Sequence, residues 1–337
     1  MASGTDSNLI FDRTRAIDVI NKSLATVPAD YAPPDDYFLA LSKTRGIRLT
    51  PELIRSYMMF ASLITPISQG DTVYKASAAA LLNPDTRKFF RIRKLAHLRG
   101  KELEAFGQLY KGFHAAYFAQ GRHMHWVDIA KYIKENWQYS TTKFMDSLRT
   151  YDQFLTEFTA RPGFGKKLAN MLLTNLLRHK LMHIEDEHNI ELPVDSNTLR
   201  IMIATGVVKN IKSPAAVYVT EDSQKHRKRL VPGKYKPVFF AYKDPLINFI
   251  RENTQEVMIE MGISAVDLHP AIYYVGSNMC TGNKHRFGGR HCELTDICDM
   301  VSPIQGFIKF KGAYVITEEQ MNERRKSTRL EDFFKTA

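Results

Sequence analysis

The chain has 337 residues, of which 44% are hydrophobic and 25% charged, and its 47 Lys and Arg against 36 Asp and Glu give a formal net charge of +11. That length supports one large or two small domains with ample core. No apolar run is long enough for a membrane span, the first residues (MASGTDSNLIFDRTR) carry no secretory signal, and three cysteines argue against a disulfide framework and for a reducing, intracellular compartment. The basic excess suits a phosphate-rich partner, though many basic proteins bind no nucleic acid.

In chain order, apolar residues at helical spacing predict helices over 12–26, 51–65, 73–83, 86–99, 101–120, 126–136 and 141–158. Pro33-Pro34-Asp35-Asp36 reads as a loop. Arg87, Arg91, Arg93, Lys94 and Arg99 form a basic stretch with the spacing of a solvated helix face. Helices are predicted again over 166–182, 196–207, 244–261 and 267–279. Residues 209–241 read as an insertion, with strand character at 216–220 and 237–241 around the basic run Lys225-His226-Arg227-Lys228-Arg229. A basic hairpin lying along DNA and an exposed charged loop both fit it. The pattern as a whole is all-α with a small β-rich, basic insertion.

The turn Arg161-Pro162-Gly163-Phe164-Gly165 stands between two helical patterns and leads into Lys166-Lys167. Gly163 and Gly165 permit backbone conformations closed to other residues. Phe164 between them can anchor the turn by packing under the helices. Without side chains in the way, amides at the start of the next helix can approach a phosphate oxygen, assisted by the helix dipole and by Lys166 and Lys167. Such a contact positions a backbone and reads no sequence. An ordinary helix–helix turn is the alternative. Further on, Leu192-Pro193-Val194-Asp195-Ser196-Asn197 precedes a helix, and Asp195 or Ser196 suits its N-cap.

The Pro-Gly-x-Gly turn, Lys167, Val194-Asp195 and Arg200, five residues beyond the aspartate, together resemble the helix-hairpin-helix DNA glycosylase superfamily. The resemblance implies two helical lobes: residues 1–45 with the C-terminal lobe 242–305, and a core of 46–208 that holds the hairpin (161–182) and Asp195. It implies double-stranded DNA as partner and cleavage of a base–sugar bond. Asp195 would stabilise positive charge on the sugar and orient the nucleophile. Lys167 matches the position of the Schiff-base lysine of bifunctional members, a role that needs a depressed pKa; a phosphate contact is its other reading. Gly163, Phe164, Gly165, Lys166 and Arg200 would serve DNA binding. The segment 62–76 resembles the family's early helix-loop-helix, where Gln69 would fill the space left by a flipped base.

Many members carry a four-cysteine iron–sulfur loop after the last core helix. Here Cys280, Cys292 and Cys298 follow a segment (269–280) that resembles the approach to that loop, and the last two cysteines keep its spacing. The first gap is longer, and Gly289 stands where the remaining cysteine is expected. Three readings stay open: zinc or an iron–sulfur cluster held by the three cysteines with His285 or His291, a degenerate loop, and three unrelated thiols. In the tail, 306–337, Ser327-Thr328-Arg329-Leu330-Glu331-Asp332-Phe333-Phe334 resembles a sliding-clamp-binding box with serine in place of glutamine. Leu330, Phe333 and Phe334 would then enter the clamp pocket; a terminal helix docked on its own protein is the alternative.

The expectation is therefore a monomeric, intracellular DNA glycosylase that excises a damaged or modified base, bulky hypermodified pyrimidines included. Its own chemistry would need no cofactor. Two other classes remain: a non-catalytic DNA-binding protein on the same fold, and an RNA or nucleoside N-glycosidase on a related scaffold.

Overall fold

The computed structural model describes residues 9–64, 70–112, 123–209, 244–279, 294 and 296–298. Among them the protein is mostly helical, with a single two-stranded sheet. No described helix is long and apolar enough to cross a membrane. The backbone divides into two compact units: one within Met1–Pro28, Val194–Ile263 and Asp267–Ala337, the other within Ala29–Pro193 with Ser264–Val266.

The first unit begins with β1 (Ile10–Phe11) and α1 (Arg13–Thr26) and continues through α12 (Ser196–Ala204) to β2 (Val208–Lys209). β1 and β2 pair antiparallel, Ile10 opposite Lys209 and Phe11 opposite Val208. Asp12 caps α1 by accepting from the Arg15 amide, and its other oxygen pairs with the Lys209 ammonium at 2.7 Å. Helix α13 (Asp244–Met261) packs on both α1 and α12. Arg13 bonds Glu260, and Phe11 meets Phe249 edge-on with centroids 6.3 Å apart. α14 (Ala265–Tyr274) contains Pro270 and runs into a π-helical turn, Val275–Met279. Ser277 Oγ and Asn278 Nδ2 donate to the Tyr273 and Tyr274 carbonyls, at 2.7 and 3.1 Å. Those side-chain bonds satisfy carbonyls at the point where the helix widens.

The second unit is built on α3 (Pro51–Ile64), buried continuously from Ser56 to Ile64. Around it pack α4 (Gly70–Leu82), α9 (Thr141–Asp146) and α11 (Lys166–Arg178), while α2 (Tyr37–Thr44) lies on α4. Phe60 lies at the centre of an aromatic cluster, with the Phe90, Trp126 and Tyr110 rings 4.9, 5.9 and 6.0 Å away. Each such ring contributes about 1.5–3 kcal/mol by leaving water. Short helices α5 (Pro84–Arg87) and α6 (Ile92–Leu95), then α7 (Gly100–Gly112), α8 (His123–Trp137) and α10 (Tyr151–Thr159), complete the unit.

Two expected helices are each broken in two. The stretch 86–99 divides because Arg91 is extended between a 3-10 turn and α6. The stretch 141–158 divides at Thr150, whose capping box with Gln153 starts α10 afresh. The basic insertion from 210 to 241 and the tail lie outside the described residues.

Candidate nucleic-acid interface and cap aspartate

The hairpin is assembled in the second unit from α10, a short turn and α11. Tyr151 donates to Asn170 Oδ1 at 3.1 Å, fastening the first helix to the second. Arg161 lays its guanidinium over the Tyr132 ring, 3.7 Å from the centroid, and pairs with Glu157 at 3.2 Å. Phe164 is 5% exposed and packs edge-on against Phe158, whose ring stacks on Phe154 at 4.3 Å. It is thus an anchor inside the turn rather than a surface group.

Gly163 is required twice over. Its φ is +89°, and an added Cβ would lie 2.7 Å from His125 Nδ1 and 2.9 Å from Leu63 Cδ2. Gly165 differs: its φ is −101°, and an added Cβ would meet nothing within 4 Å. As the N-cap of α11 it supplies no side-chain acceptor, so the first amides of that helix lack a capping group. Lys166 pairs with Glu191 at 2.7 Å, which directs its charge into the protein surface. Lys167 is half-buried and has no hydrogen-bond or ion-pair partner among the described residues.

Asp195 belongs to the first unit, where it caps α12. Oδ1 accepts from the Asn197 and Thr198 amides, both at 2.8 Å, and from Thr198 Oγ1 at 3.2 Å. Among the described residues Oδ2 accepts one long bond, 3.3 Å, from Asn197 Nδ2. The carboxylate is half-buried, and its rotamer is fixed by one oxygen while the other keeps unused acceptor capacity. Arg200 is carried by the same helix.

The expected site residues thus fall in two groups: Gly163, Phe164, Gly165, Lys166 and Lys167 on one turn, Asp195 and Arg200 on α12. Gln69, Cys280, His285, His291, Cys292, Leu330, Phe333 and Phe334, with the Arg200 side chain, lie outside the described residues. Cys298 is half-buried. Sequence reasoning missed Asn197 and Thr198 as donors to the aspartate; their positions two and three beyond a cap residue were the available signal. It also missed His125 behind Gly163 and the approach of Gly276 to Asn197, which no local pattern announces.

Among the described residues, Asp35, Asp36 and His179 form the one group whose ligand atoms lie within 4.8 Å of one another. Arg178 already bonds both carboxylates, and its contacts to Asp36 Oδ1 and Oδ2 are each 2.9 Å. With a guanidinium supplying the positive charge, the group is an ion-pair network that holds the C-terminal end of α11 to the 34–36 turn.

No protein-family model matches the chain, and no curated protein matches it at a significant level.

Proposed function

We propose that the protein is a DNA N-glycosylase that releases a damaged or modified base, with Asp195 as the catalytic carboxylate. The observation that carries this reading is the division of labour within that carboxylate: three donors hold Oδ1, while Oδ2 keeps acceptor capacity. A fixed carboxylate with one oxygen to spare suits a reaction that develops positive charge on a sugar. Water adds to the sugar carbon as the bond to the base nitrogen breaks, and the base leaves with the proton. Pre-fixing the carboxylate means no reorganisation is required when the charge appears.

The hairpin supports the DNA half of the reading. Among the described residues nothing requires glycine at position 165, where an added Cβ would meet no atom within 4 Å. A bare N-cap leaves the α11 amides available to a phosphate, as the net charge of +11 favours. Lys167, without a partner among the described residues, is the candidate amine for a lyase step.

The test is single-turnover incubation with duplexes carrying damaged and modified bases, bulky pyrimidines included, each split between hot alkali and no treatment. Breaks only after alkali are the expected result and leave Lys167 as a phosphate contact. Breaks without alkali, trapped by borohydride and lost in Lys167→Ala, would assign the lyase. A second reading, DNA binding without catalysis, draws on the same cap: holding α12 accounts for Asp195 by itself. Tight binding with no release from any duplex would favour it.

A further inference from the structure

Among the described residues, Asn197 Nδ2 is the one donor to Asp195 Oδ2, at 3.3 Å. Its side chain is in turn confined by Gly276 in the π-helical turn. A Cβ built on Gly276 would lie 2.4 Å from Asn197 Cβ, 2.8 Å from Cγ and 3.1 Å from Oδ1. The first two are closer than real carbon atoms approach, and Asn197 Cβ is not the far end of a flexible chain that can swing away. The π turn and α12 pack directly on each other. Only a residue without a side chain allows that contact. In the turn that makes it, the widened backbone is braced by Ser277 Oγ and Asn278 Nδ2, which donate to the Tyr273 and Tyr274 carbonyls.

We infer that Gly276 and Asn197 form a positioning pair for Asp195: the bare π turn clamps the Asn197 side chain, and its amide fixes the direction of Oδ2. Neither residue touches the reacting atoms. The pair ties the end of the last described helix to the carboxylate, so a change in that helix alters where Oδ2 points. The inference rests on the reading of Asp195 as the catalytic group, and its test has an arm that does not.

Asn197→Leu has nearly the same branched shape and adds no charge beside Asp195, so it keeps the contact with Gly276 and removes the donor. Gly276→Ala keeps the donor and breaks the contact. Both variants are expected to lower the single-turnover rate of base release about 10-fold or more, since misplacement on the ångström scale has effects of that order. Affinity for a duplex with a tetrahydrofuran abasic site should stay within about 2-fold, because phosphate contacts elsewhere supply most of the binding. Asn197→Leu should unfold close to the wild-type temperature; full activity in it would overturn the inference, whatever Gly276→Ala does to folding. Crystal structures of the two variants form the independent arm. Rotation or disorder of Asp195 Oδ2 is expected, and an unmoved carboxylate in both would overturn the inference even if no duplex is ever processed. Asp195→Asn, run alongside, separates the two failures: undiminished release there sinks the catalytic reading of Asp195 itself.

Discussion

Asp195 caps α12 through Oδ1, and asparagine caps a helix about as well as aspartate does. Asp195→Asn therefore isolates charge from structure. Its stability should stay within about 0.5 kcal/mol of wild type, while base release falls about a thousandfold, the scale of losing a preorganised electrostatic group. Asp195→Ala should lose about 1 kcal/mol as well, through the lost cap. Denaturant unfolding and single-turnover excision read the two effects separately. The two hairpin glycines divide in the same way. Gly163→Ala is strained by its φ of +89° and by His125 and Leu63, and should cost about 1–3 kcal/mol in unfolding experiments. Gly165→Ser should gain about a few tenths of a kcal/mol, because the hydroxyl caps α11. On the proposed DNA-binding role of the hairpin, that hydroxyl competes with phosphate for the same amides, so DNA affinity should fall; equal affinity in a binding titration would remove the hairpin from the interface.

Among the elements, the hairpin was legible because its logic is local: two glycines, a buried aromatic and an uncapped helix start occupy consecutive positions. Phe164 carries the packing half of that logic, set against Phe158 and the stacked Phe154. Phe164→Ala should cost about 3–5 kcal/mol, with a cavity left under the turn, as followed by thermal and denaturant melts. Other boundaries were less legible. The break at Thr150 needed recognition of a threonine–glutamine capping box inside an apolar pattern. The helix Tyr37–Thr44 was missed because it is short and its apolar residues, Tyr37 to Leu41, run consecutively rather than at helical spacing. The strands Ile10–Phe11 and Val208–Lys209 are two residues each, too short for an alternation signal, and they pair across most of the chain.

For the molecule as a whole, the network of Asp35, Asp36, Arg178 and His179 makes stability depend on pH. Burial opposes charge on the His179 ring, but hydrogen bonds to Asp35 and Asp36 outweigh it and raise its pKa above 6.5. Burial likewise disfavours the Asp36 carboxylate, and the bonds from His179 and Arg178 prevail and lower its pKa below 3.8. The histidine's contribution is complete below its unfolded pKa of 6.5 and is lost as pH rises through the higher folded value. The aspartate's is present above 3.8 and is lost as pH falls through its lower folded value. Melting temperature should therefore decline above about pH 6.5, and His179→Gln should flatten that decline; an unchanged profile in the variant would take the histidine out of the effect. Sequence alone determined the helical character, the glycine turn and a helix start at Asp195 or Ser196, because period, conformational permission and capping are properties of neighbours along the chain; the structure makes Asp195 the cap. Tertiary structure alone decided that Gly276 confines Asn197, that His125 stands behind Gly163, and that Asp35 and Asp36 meet Arg178 and His179. Those meetings join segments far apart in sequence, and close approach between them is fixed by packing, of which no local pattern keeps a record.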